Sequence, residues 1–179
     1  NTGAYHNVSF GRLALWRNNS GCHNFAVGYK ALRYNQASCN IAIGNQASYY
    51  TKYGTNNITL GQNAMMYHCN GHHNIAMGCN SLKNNHTASS NIALGYNSLI
   101  NTTGANNTAF GKNAGCSNTS GANNIFLGSN SGLNNTIANN NIFIGFNSGY
   151  NNTTGTQNIF VGTQSGNSNT TSNNNIFMG

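Results

Sequence analysis

Apolar residues in this chain arrive in short bursts at a fixed interval, and every burst ends in glycine. The phrase Asn-x-x-x-Gly starts at Asn7, Asn24, Asn40, Asn57, Asn74, Asn91, Asn107, Asn124, Asn141, Asn158 and Asn175. Its eleven copies lie 17 residues apart, with two steps of 16. The second position of the phrase is apolar in every copy but one, Thr108, and the fourth, from Phe10 through Ile43 and Leu94 to Met178, in all of them. Such a run, rich in β-branched residues and bounded by turn formers, reads as a strand and not a helix. The polar remainder of the repeat has room for a second short extended piece and turns. A unit this small cannot bury its own apolar face, but coiling the chain so that equivalent strands stack gives each rung two neighbours. The pattern predicts an all-β, parallel β-solenoid (a β-roll or β-helix) of about eleven rungs, one domain over residues 1–179.

Positions two and four of the phrase point the same way. Being the large aliphatic columns, they are expected to form the core. The third position points oppositely and is apolar in all but two copies: it reads Ser9, Ala26, Ala42, Thr59, Ala76, Ala93 and Ala109, then Phe126, Phe143, Phe160 and Phe177. A strand apolar on both faces is normally covered on both. Four residues after the phrase glycine, Leu15, Leu32, Ser48, Met65, Leu82 and Leu99 give way to Gly115, Gly132, Gly149 and Gly166. Small turns to Phe in one column as large turns to Gly in the other, so the two share one close-packed compartment, with Phe143 near Gly132 or Gly149. An uncovered Phe column would be a sticky stripe. The compartment lies either inside the coil or between chains; on the second reading, favoured by that stripe, Phe126, Phe143, Phe160 and Phe177 form a seam between chains. The first-position Asn suits either an amide ladder along the axis or a plain turn.

Composition narrows the chemistry. The chain contains no Asp, Glu or Pro. Mechanisms that need a carboxylate pair, a Ser-His-Asp triad or an acidic Mg²⁺ or Ca²⁺ site are excluded, and neither an enzyme nor a cofactor is expected. The formal charge of +7 comes from seven dispersed cations, read as solvated surface, so neither nucleic acid nor membrane insertion is expected. His68, Cys69, His72, His73 and Cys79 resemble zinc donors by type, but they occupy a turn in one repeat only and read as polar loop residues. Cys22 and Cys39 lie one rung apart, a spacing that a disulfide can bridge. Sequons at Asn18, Asn85, Asn101, Asn118, Asn134, Asn152 and Asn169 recur near the repeat spacing; turn chemistry alone explains such residues, and the functional reading is an N-glycosylated edge. Tyr29, Tyr34, Tyr49, Tyr50, Tyr53 and Tyr67 gather in the less regular first half, where a receptor- or glycan-binding surface would fit.

The segments Asn40–Gly44 (Asn-Ile-Ala-Ile-Gly), Asn91–Leu99 (Asn-Ile-Ala-Leu-Gly-Tyr-Asn-Ser-Leu) and Asn101–Gly111 resemble repeats of trimeric fibres. They look like head repeats of YadA-type trimeric autotransporter adhesins and, more closely, the longer repeats of phage and large algal virus tail fibres. The resemblance implies a trimeric shaft or adhesive surface outside the cell or virion, and it transfers no binding residue. The adhesin repeat is shorter, and the stalk, anchor and chaperone that accompany such fibres have no counterpart in this sequence. Bare strand edges at both ends point to a longer fibre or end-to-end stacking. The expected role is a self-associating fibre or filament subunit.

Overall fold

The computed structural model describes residues 3–179. It contains eleven strands of three residues each: β1 (Val8–Phe10), β2 (Phe25–Val27), β3 (Ile41–Ile43), β4 (Ile58–Leu60), β5 (Ile75–Met77), β6 (Ile92–Leu94), β7 (Thr108–Phe110), β8 (Ile125–Leu127), β9 (Ile142–Ile144), β10 (Ile159–Val161) and β11 (Ile176–Met178). They form one parallel sheet in chain order. Ile41 pairs with Ile58 and Ile58 with Ile75. Like residues stack on like along the whole length, about 50 Å at the usual strand spacing. The protein is a β-solenoid.

Glycine ends each strand for two reasons. Its φ lies at +121 to +139° in the eleven phrase copies, a region that L side chains avoid. A Cβ at Gly28 would also lie 2.5 Å from the carbonyl oxygen of Gly44 on the next rung. Beyond the glycine, the chain turns at residues with left-handed backbone. All 27 non-glycine residues with positive φ among the described residues occupy three columns: five residues before the phrase glycine, two after it and four after it. Asn tolerates this conformation better than most residues, and it fills much of the first two columns, as at Asn56, Asn106, Asn80 and Asn130.

The interior differs from the sequence-based expectation. Ala26, Ala42, Thr59, Ala76, Ala93, Ala109, Phe126, Phe143 and Phe160, all from the third position, are fully buried. The large aliphatic columns at positions two and four face outward, with Ile41 38%, Ile58 39% and Phe110 40% exposed. Facing the third position across the interior is the column four residues after the glycine, where Leu32, Met65, Leu82 and Leu99 are fully buried. The coil is narrow, and each rung admits one large side chain: Ala with Leu, or Phe with Gly. A Cβ at Gly115 would lie 2.6 Å from the Phe126 ring, and the rings of Phe143 and Phe160 stack at 4.9 Å. The compensation between the two columns is therefore internal. Phe126, Phe143 and Phe160 form no seam between chains, and Phe177, at 5.0 Å from Phe160, continues the same inner stack. Two neighbouring rungs solve the packing with polar atoms: Ser48, on the rung of Ala42, and Thr59, on the next, share a buried hydroxyl hydrogen bond of 2.7 Å.

Two buried columns of polar side chains run beside this core. The phrase Asn forms an unbroken ladder. Its Oδ1 accepts the backbone N–H of the equivalent Asn one rung on, as from Asn40 to Asn24 at 2.9 Å and from Asn107 to Asn91 at 2.8 Å. Its Nδ2 donates to a carbonyl on the next rung, as from Asn91 to Gly104 at 3.0 Å. The ladder reading is the observed one, and the left-handed turn residue is the one before it. Seven residues after the glycine lies the second column, with Asn18, Asn35, Thr51, His68, Asn85, Thr102, Asn118, Asn135 and Asn152 buried. There Asn135 donates to Asn118 at 2.9 Å, and Asn152 to Asn135 at 2.9 Å.

Candidate functional site

Two outer surfaces carry features beyond the scaffold. The first is the outward face of the sheet. Positions two and four of eleven rungs form two parallel rows, two side chains wide and about 50 Å long, apolar at every place except Thr108. Each side chain is flanked above and below by its copies on neighbouring rungs and is open only outward. A continuous aliphatic stripe of this length exceeds the scattered apolar exposure normal for a soluble surface and is the type of patch that marks an interaction face.

The second is a groove of about 640 Å³ on a different side of the coil. One wall is the column six residues after the glycine, with Arg17, Tyr34, Tyr50 and Tyr67. The other wall lies two residues further on, with Asn19, Gln36, Lys52, Cys69 and His86. The alternation of an extended segment turns both walls outward and the intervening residue inward. Tyr34 and Tyr50 stack at 5.3 Å and Tyr50 and Tyr67 at 5.6 Å, so their ring faces cover one another and their edges meet solvent. The guanidinium groups of Arg17 and Arg33 lie 5.4 and 5.1 Å from the Tyr34 ring, within cation–π range. Arg33 also donates to the Tyr49 hydroxyl at 2.9 Å. Gln36 donates from its amide to the Arg17 carbonyl, tying the two walls together.

The predicted sequons separate into two columns. Asn18, Asn85, Asn118 and Asn152 are buried. Asn85 donates to the Ala88 carbonyl at 3.1 Å and accepts the Ala88 N–H at 2.9 Å. A sugar on such a nitrogen would displace the inner ladder, so these four are corrected from glycan acceptors to scaffold. Asn169 shares their column and donates to Asn152 at 2.8 Å. Asn101 and Asn134 lie one residue earlier in the repeat and outside: Asn101 is exposed and Asn134 half-buried. A one-residue offset, negligible in sequence spacing, reverses the direction of an extended side chain.

The His and Cys residues around position 70 do not converge. Among the described residues no three His or Cys side chains approach as a metal site would require. His68 occupies the buried amide column, whereas His72 accepts from the Thr55 N–H at 3.1 Å. All five cysteines are free, Cys22 buried and Cys39 exposed; they sit one position apart in the repeat, so the rung spacing alone does not align them.

His68 stands where other rungs carry Asn or Thr. Its Nδ1 lies 2.8 Å from the Asn85 carbonyl and its Nε2 2.7 Å from the Gly71 carbonyl. A neutral imidazole has one N–H for two acceptors. Burial holds its pKa below the ordinary histidine value, against the pull of the two carbonyls. A folded-state pKa below the unfolded one gives stability that is complete above the unfolded value, near 6.5, and declines as pH falls through it toward the folded value. His68→Asn supplies the amide usual in this column. The melting temperature of the wild type is expected to fall between neutral pH and about pH 5 by more than that of H68N, in parallel thermal melts.

The fold defines a repeat protein of the β-solenoid class. Comparison with protein-family models, curated proteins and solved structures returned no match.

Proposed function

We propose that this chain is a structural segment of an extracellular fibre or filament, on a cell or virion surface, that self-associates along its outward aliphatic stripe. One observation carries the reading: two rows of Ile, Leu, Val, Met and Phe, repeated over eleven rungs, face away from the core. A second copy of the same chain is the natural cover. It presents an equally long and flat array at the same rung spacing, and parallel ladders of side chains interdigitate when they share a period. The trimeric fibres that the repeats resemble suggest three chains around the stripe. No catalytic role belongs to this reading. Asn101 and Asn134 are the sequons through which such a fibre would carry glycans.

Sedimentation velocity tests it. The wild type is expected to sediment as a dimer, trimer or larger assembly. Ile92→Lys together with Ile125→Lys, both on the stripe, is expected to yield monomers with an unchanged far-ultraviolet spectrum, because neither side chain enters the core. A wild type that stays monomeric at micromolar concentration overturns the proposal.

A further inference from the structure

The tyrosine groove has no place in lateral association, and its chemistry points to a ligand. The chain holds seven Lys and Arg and no Asp or Glu, so no cation has a side-chain counter-ion of its own. Five of the seven, Arg12, Arg17, Lys30, Arg33 and Lys52, fall within residues 12–52. In place of carboxylates, tyrosine rings receive four of them, Arg17 and Arg33 at Tyr34 and the two lysines elsewhere: Lys30 lies 4.7 Å from the Tyr29 ring and Lys52 lies 5.0 Å from that of Tyr53. Cation–π contact leaves the outer side of an ammonium or guanidinium free to bind an anion. The charge of this half of the molecule is thus concentrated and unneutralised, and it borders a concave surface.

From these observations we infer that the groove between the Tyr34–Tyr50–Tyr67 column and the Gln36–Lys52 column binds an acidic polysaccharide bearing about one carboxylate or sulfate per two sugars. The groove runs along the solenoid axis from the rung of Arg17 to that of His86, four steps or about 19 Å, long enough for several sugar units laid end to end. Arg17 and Lys52 stand two rungs apart, about 10 Å, and an extended pyranose chain advances by close to one rung per sugar. The two cations therefore meet acids on alternate sugars. The hydroxyls of Tyr34, Tyr50 and Tyr67, on the three middle rungs, with the amides of Asn19 and Gln36, supply hydrogen bonds to the neutral sugars between them. Nucleic acid is the poorer fit. Its bases need free aromatic faces, which here are closed by mutual stacking, and its charge recurs at every nucleotide.

The test is isothermal titration of the full chain with a hyaluronan octasaccharide, an unsulfated chondroitin octasaccharide, a neutral chitin oligomer and an oligothymidylate. Binding of one or both acidic glycans is expected, weakening with added salt, with little binding of the neutral oligomer. Arg17→Gln and Lys52→Gln are each expected to reduce affinity about tenfold or more, the loss of a charge-assisted hydrogen bond. Lys112→Gln, far along the coil, should leave it unchanged. The far-ultraviolet spectrum and melting temperature of each variant certify its fold, and Tyr50→Phe, which keeps the stack and loses the hydroxyl, reports on the groove without altering charge. Equal losses in K112Q and K52Q, tighter binding of the oligothymidylate, or no binding of either acidic glycan would each overturn the assignment.

Discussion

Gly149→Leu is expected to disrupt the rungs around β9, and Phe143→Ala in the same chain to restore them. Gly149 has φ +59° and its missing Cβ would stand inside the van der Waals surface of the Phe143 ring. Its backbone conformation is not the obstacle, since Leu82 adopts φ +49° in the equivalent place on the rung of Ala76. The obstacle is volume. A leucine side chain has nowhere to go while Phe143 fills the rung, and overpacking of this size costs several kcal/mol or forces the coil open. Phe143→Ala alone empties the same space and is expected to cost about 3–5 kcal/mol. Combined, the two substitutions recreate the Ala76 and Leu82 rung. Urea unfolding of the four chains would show the double variant more stable than either single one, a large coupling between two residues in direct contact. Additive losses would mean that the two columns do not share a compartment.

Asn91→Asp is the second substitution expected to act strongly. Asn91 is fully buried. Its Oδ1 accepts from the Asn107 backbone at 2.8 Å and its Nδ2 donates to the Gly104 carbonyl at 3.0 Å. The site needs an acceptor at one end and a donor at the other, which an amide has and a carboxylate lacks. An ionised Asp would face the Gly104 oxygen with negative charge, buried and without a cation, at a cost of about 3 kcal/mol or more at neutral pH. Burial raises the pKa of such a carboxyl in the folded chain. Stability is then highest below the unfolded carboxyl pKa and is lost as pH rises through the folded one, so N91D should regain part of its stability in acid. Asn91→Ala leaves the buried Asn107 N–H unpaired, while the Gly104 carbonyl keeps the Asn107 amide at 3.2 Å; without an added charge it is expected to cost about 1–3 kcal/mol and should lack that recovery. A melting temperature within a degree or two of wild type for N91D would remove the ladder from the forces holding the rungs.

The same amide chemistry accounts for the composition. Asn makes up forty of 179 residues because one side chain serves three places: the phrase ladder, the second buried column and the left-handed corners. Its abundance, which in another order would signal disorder, is here the means by which a coil with a thin apolar core satisfies its backbone.

The stacking of equivalent residues, the parallel sheet and the exchange of Ala and Leu for Phe and Gly were all legible in the sequence, because a 17-residue period dictates which residues become neighbours along the axis. Sidedness was not. Both faces of most strands are apolar, so hydrophobicity could not choose between them, and the larger columns were the natural but incorrect choice for the core. The tertiary structure decides it through three left-handed corners per rung, which close the coil around a cross-section wide enough for one large side chain. That closure places Phe126, Phe143 and Phe160 inside, turns the Ile and Leu rows outward, buries Asn85 while exposing Asn101, and separates His68 from His72. Period is a property of the chain, but inside and outside are properties of the loop that it closes.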